Sequence, residues 1–203
     1  MDKKEIQETR IRGYFIEATR EMLKGEGIRS INVRAVAERA GYSYATLYNY
    51  FKDIKELVFI CVKGFQDEAG TFINESTSKV PQGREKIRAI MKSYISYFVQ
   101  YPGIFELFFV EKMNDLGTNQ PTASLIYTFP DRLCADEWQY CIGQKQLNVE
   151  KATVLSNELR FLVTGMMLFY LHRGQPAGYN EFMSMVDTQL NQVLAFNHIP
   201  NPY

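Results

Sequence analysis

The chain is poor in the residues that most often carry chemistry. It has three cysteines, two histidines and one tryptophan among 203 residues. Cys61, Cys134 and Cys141 form no CxxC pair, and an odd, scattered set reads as reduced thiols rather than a disulfide framework. His172 and His198 lie near the C-terminal end without neighbouring ligand-type residues, so no metal site is expected. There is no HExxH, no phosphate-cradling glycine loop and no Ser/His/Asp set, which argues against an enzyme. No cofactor is expected. No apolar run reaches about 18 residues, so no membrane span is expected. The opening MDKKEIQETR lacks the apolar centre of a signal peptide, and the expected location is the cytoplasm.

Excess charge of either sign is also missing. Lys and Arg number 23 and Asp and Glu 23, so the formal net charge is zero. Residues 1–60 carry 11 basic against 9 acidic side chains, only a mild positive bias. Any nucleic-acid contact must therefore rest on a few well-placed groups rather than a broad basic field. What the chain does have is apolar material: 46% hydrophobic and 14% aromatic residues, enough for a substantial core and against disorder.

Strand alternation is absent over any length, and helical spacing recurs instead. Phe15, Ala18, Met22 and Leu23 mark one face of a first helix, which Gly25 and Gly27 end. Asn32 is a candidate N-cap for a second, with Val33, Val36, Ala37 and Ala40 at helical spacing. Gly41-Tyr42-Ser43 interrupts. Ser43 caps a short third helix with Leu47 and Phe51 on its buried side, and Asp53 caps a fourth through Leu57, Val58, Cys61 and Val62. A polar stretch at 74–86 separates this from a helix beginning near Ile87. Pro102-Gly103 break that helix, a short apolar helix covers Ile104–Met113, and 114–123 read as a loop. Pro130 starts or kinks the next helix. Long helices then span about Val149–His172 and Tyr179–Phe196, with a frayed tail.

Residues 33–51 hold the functional signal. Two short amphipathic helices are separated by a three-residue turn headed by glycine, the helix-turn-helix layout. Small Ala37 and Ala40 permit a close crossing, and Leu47 and Phe51 pin the second helix. Its other face offers Tyr44, Ala45, Thr46, Asn49 and Tyr50 to base edges and phosphates, with Tyr48 a phosphate donor and the helix start at Ser43 presenting amides.

Residues 15–58 resemble the DNA-binding domain of the TetR family of bacterial repressors, through Phe15, Ala18, Leu23, Gly27, Val36, Ala37, Ala40-Gly41, Ser43, Thr46-Leu47-Tyr48, Tyr50-Phe51 and Leu57. The resemblance implies an all-α fold, a homodimer on a palindromic double-stranded operator, and loss of DNA affinity when a small-molecule effector enters the larger domain. It places a DNA-binding domain at 1–52 and a ligand-binding and dimerisation domain at 53–203. Two positions depart from the family pattern. Asn32 stands where threonine is frequent, and Ile54 where lysine is usual, which makes Lys55 and Lys52 the alternative phosphate contacts; Arg34 is a further candidate. In the larger domain Tyr94, Phe98, Phe105, Phe109, Tyr127, Trp138, Phe161, Met166 and Phe169 are candidates to line a pocket for an apolar or aromatic compound, each with plain core packing as the alternative. The last two long helices are candidates for a four-helix dimer interface, with Gly165 allowing close approach. The rival reading is a helical protein-interaction module that does not bind DNA.

Overall fold

The computed structural model describes residues 2–110 and 122–195, and among these every regular element is helical. In chain order they are α1 (Lys3–Gly25), a 3-10 turn (Ile28–Ser30), α2 (Val33–Ala40), α3 (Tyr44–Leu47), α4 (Ile54–Thr77), α5 (Arg84–Gln100), α6 (Pro102–Phe105) followed by a π-turn (Glu106–Val110), α7 (Thr122–Tyr127), α8 (Phe129–Gly143), α9 (Val149–Arg173) and α10 (Tyr179–Val193). The chain divides into two compact units, Met1–Glu68 with Tyr101–Ile126, and Ala69–Gln100 with Tyr127–Tyr203. The all-α class expected from the sequence is therefore the class observed. The stretch 122–123, read as the end of a loop, begins α7, which the sequence reading does not anticipate. The rest of that loop and the tail beyond 195 lie outside the described residues.

The first unit closes around Phe15, Met22, Val36, Ala37, Leu47, Phe51 and Leu57, all buried. Its helix ends follow from local chemistry. The Asn32 side-chain oxygen accepts from the Ala35 N–H at 3.0 Å, and the Asp53 carboxylate accepts from the Glu56 N–H at 2.8 Å while Glu56 reaches back to the Lys52 N–H. This satisfies amides that a helix start leaves without partners. Gly41 ends α2 at φ 77°, in the left-handed region that costs an L-residue with a Cβ about 1–2 kcal/mol. At the C-terminal end of α1, Glu68 binds Lys24 at 3.1 Å and Arg20 lies 4.6 Å over the Phe65 ring.

The second unit packs α5, α8, α9 and α10 around a different core. Tyr94, Phe98 and Phe129 form an aromatic cluster with ring separations of 4.8 and 5.9 Å. Phe182, Val186 and Leu190 give α10 its buried stripe, which Leu194 continues at the helix C-cap, and Phe182 stacks on Tyr170 at 4.1 Å. The buried Glu137 carboxylate accepts from the Gly83 N–H at 2.7 Å and pairs with Lys86, as a charge removed from water requires. An 18-residue stretch of α9 has mean hydropathy 1.2, long and apolar enough to cross a membrane by length and composition, although Glu158 and Arg160 interrupt it. Only 33% of that stretch is buried, so α9 keeps much apolar surface outside its own core.

Glycine at 103 is required by approach rather than by backbone conformation. A Cβ there would stand inside van der Waals distance of the Lys24 carbonyl oxygen and 3.1 Å from that of Leu23. Gly103→Ala is expected to destabilise the protein by about 1–3 kcal/mol through forced backbone movement, read as a lower urea midpoint at unchanged slope.

Candidate nucleic-acid interface and ligand cavities

α3 has only four helical residues, too few to persist alone. Ser43 starts it: its hydroxyl accepts from the Thr46 N–H at 3.1 Å and lies 2.9 Å from the Thr46 hydroxyl. The turn continues past Leu47, because the N–H groups of Tyr50 and Phe51 both donate to the Leu47 carbonyl at 3.0 Å. Leu47 and Phe51 are buried, and Phe51 meets Phe15 edge-on at 6.1 Å. Each buried side chain of this size contributes about 1.5–3 kcal/mol.

Pinning that side turns the other outward. Tyr44 is 59% exposed and Tyr48 53%, and Ala45 and Asn49 are exposed beside them. The spacing 44/48 and 45/49 places these four side chains on one face. Tyr50 departs from the sequence expectation. It is half-buried, its ring 6.4 Å from Phe15, because three residues beyond Leu47 falls beside the pinned side rather than opposite it. Thr46 is likewise half-buried.

The remaining candidates divide by what already holds them. Asn32 and Ser43 are exposed, but their side-chain oxygens are committed to caps. Arg34 and Lys52 are exposed and Lys55 half-exposed, and no ion pair engages them among the described residues. Arg39, by contrast, is tied to Glu26 at 2.5 Å. Sequence reasoning does not single out Tyr42, whose ring packs on Phe15 at 5.5 Å and on Tyr14 at 6.2 Å, bracing the turn from inside. An aromatic residue directly after the turn glycine is the available signal.

The nine pocket candidates are divided between the two units. Phe105 and Phe109 pack together at 5.1 Å in the first unit. In the second unit, Tyr94 and Phe98 are fully buried in the aromatic cluster. Burial, with Asp131 adding to it and Arg160 opposing, pushes the Tyr94 phenol above its ordinary range, so it stays an O–H donor. Trp138 lines a cavity of about 280 Å³ between α8 and α9. Tyr127 is half-exposed beneath Arg160, 4.0 Å away. Phe161 and Phe169 point outward, 64% and 60% exposed, and share with Met166, Gly165 and Met185 an open, largely apolar groove of about 530 Å³. A Cβ on Gly165 would meet nothing within 4 Å, so that groove has room for a close neighbour.

All three thiols are buried, and burial raises Cys61 to about 12.

Residues 15–59 match the family model of the bacterial regulatory proteins of the tetR family. Solved structures share the whole fold at low identity. A TetR-family transcription regulator from Marinobacter aquaeolei VT8 is 17% identical with a TM-score of 0.66, covering 95% of this chain and 98% of its own. The transcriptional regulator FadR from Bacillus subtilis, in complex with stearoyl-CoA, is 14% identical with a TM-score of 0.67, covering 91% and 98%. The superantigen PfiT is 11% identical with a TM-score of 0.68, covering 90% and 95%.

Cap residues and outward residues differ in what their loss does to the free protein. Ser43→Ala is expected to lower stability by about 1 kcal/mol. Tyr48→Phe, at an exposed position, is expected to leave it within about 0.5 kcal/mol of the parent. Urea unfolding of both variants without DNA checks this.

Proposed function

We propose that this chain, whose residues 15–59 belong to the TetR family of bacterial regulatory proteins, is a transcriptional repressor that binds a palindromic operator as a homodimer and releases it on taking up a small apolar or aromatic effector. The observation that carries the DNA reading is the outward set of Tyr44, Ala45, Tyr48 and Asn49 on an element whose opposite side is locked by Leu47 and Phe51. Planar and short polar side chains on a rigid helix suit base edges in the major groove, and a tyrosine hydroxyl suits a phosphate. Arg34, Lys52 and Lys55, without competing ion pairs, supply the charge that positions the head.

The homodimer reading is supported by α9 and α10. Phe161 and Phe169 on one exposed face, with Met185 and the open Gly165, form an apolar surface of the sort found between subunits rather than against water. Two helices from each protomer would make a four-helix interface. On this reading Phe161, Met166 and Phe169 serve the interface rather than an effector pocket. Two heads would then stand about 34–36 Å apart, one turn of DNA or a wider spacing. An effector that binds better to a conformer with different spacing lowers operator affinity by that difference. α4, which has residues in both units, is the proposed transmitter. The FadR complex supports uptake of a small molecule by a protein of this fold.

Selection from random duplex DNA with the purified protein is expected to enrich a palindrome. Asn49→Ala should relax one position of it, costing about 1–3 kcal/mol. Tyr48→Phe should weaken all sequences alike, and affinity should fall steeply with salt. A folded dimer that enriches nothing would overturn the operator reading in favour of a protein-interaction module.

Phe161→Asp combined with Phe169→Asp is expected to shift the dimer toward monomer by about 2 kcal/mol or more, seen by sedimentation equilibrium, with helicity retained. An unchanged dimer would place the interface elsewhere.

A further inference from the structure

In the first unit α1 and α4 lie side by side and run the same way. The Cys61 thiol of α4 donates to the Ile16 carbonyl of α1 at 3.8 Å, Arg20 lies over the Phe65 ring, and Lys24 pairs with Glu68. Ile54, where α4 starts, is seven residues before Cys61, so it stands level with Thr9, seven before Ile16. α1 starts earlier, at Lys3. Its first six residues, about 9 Å of helix, therefore overhang the start of α4. Side chains 2–10 are all exposed, and the first buried one on α1 is Phe15. A helical segment that buries no face of its own gains little from its chain beyond the cap. Here the Glu5 carboxylate supplies that cap by accepting from the Asp2 N–H at 2.9 Å.

The overhang stands at the α3 end of the unit. Both flanks of α3 meet α1 at residues 12–15: Arg12 lies 5.2 Å over the Phe51 ring, and Tyr42 packs on Tyr14 and Phe15. From Arg12 the helix continues back to Lys3, about 14 Å, against a major-groove width of about 12 Å. Lys3, Gln7, Arg10 and Tyr14 follow spacings of four, three and four, so they share one face. The Tyr14–Tyr42 stack sets that face beside the start of α3. Glu5 and Glu8 fall elsewhere around the helix. Among the described residues no ion pair engages Lys3 or Arg10. The face thus offers two cations and an amide with no acid among them, and it continues the outward surface of α3. Phosphate oxygens are the acceptors that suit it. We propose that Lys3, Gln7 and Arg10 form a second DNA contact, on phosphates at the edge of the half-site that α3 reads, adding affinity without sequence preference. The inference deepens the DNA reading and rests on it.

The test compares full-length parent, Lys3→Gln with Arg10→Gln, and a charge-matched control, Lys79→Gln with Lys145→Gln, which are exposed in the second unit. Glutamine is a good helix former, so ellipticity should be unchanged. Binding to a duplex of 40 base pairs carrying the selected palindrome is followed by fluorescence anisotropy from 50 to 300 mM salt. Losing two phosphate contacts is expected to lower the salt slope by about 1.8 for each protomer bound. Affinity at 150 mM salt should fall at least tenfold, the enriched palindrome should stay the same, and the control should match the parent. A slope equal to that of the parent, an equal fall in the control, or a changed base preference would each overturn the proposal. A parent that binds with steep salt dependence beside an unaffected variant sinks this contact alone, whereas a parent that binds no duplex sinks the DNA reading and this contact with it.

Discussion

Everything outward-facing on the head depends on burying Leu47 and Phe51 against Phe15. A four-residue helix has almost no stability of its own. Its orientation is therefore a property of the core beneath it. The caps at Ser43 and Asp53 and the left-handed Gly41 fix the chain's path on either side. With these in place, Tyr44 and Tyr48 face outward through geometry rather than through any interaction of their own.

Local chemistry makes much of this legible in the sequence. Asn32, Ser43 and Asp53 are capping residue types placed directly before apolar helical spacing, and each accepts the amide expected of it. Gly41 sits where only a residue without a Cβ is comfortable. Tyr50 turns out half-buried because periodicity in a very short helix gives direction only to within a residue, and a ring reaches far enough to join the neighbouring core. α7 leaves no mark in the pattern because six residues hold too little periodicity to signal a helix.

The larger body is less legible, for a different reason. Aromatic residues on a helix stripe look alike whether they meet a core, a groove or an empty surface. Phe98 is fully buried while Phe161 and Phe169 are mostly exposed, and helical spacing alone does not distinguish them. Arg160 is hidden in the sequence because a charged residue within an apolar helix reads as its solvated side. Its burial depends on Asp131 and Tyr127, distant in sequence, and only tertiary structure brings them together.

The division of labour on α3 bears on how such a head changes over time. Side chains that keep the element in place are Ser43, Leu47 and Phe51, and those that look outward are Tyr44, Ala45, Tyr48 and Asn49. The two sets hardly overlap. Substitution at an outward position leaves caps and core untouched, so a duplicated copy can drift through new surface chemistries without passing through unfolded intermediates. Divergence of recognition is then limited by selection for a target rather than by the tolerance of the fold.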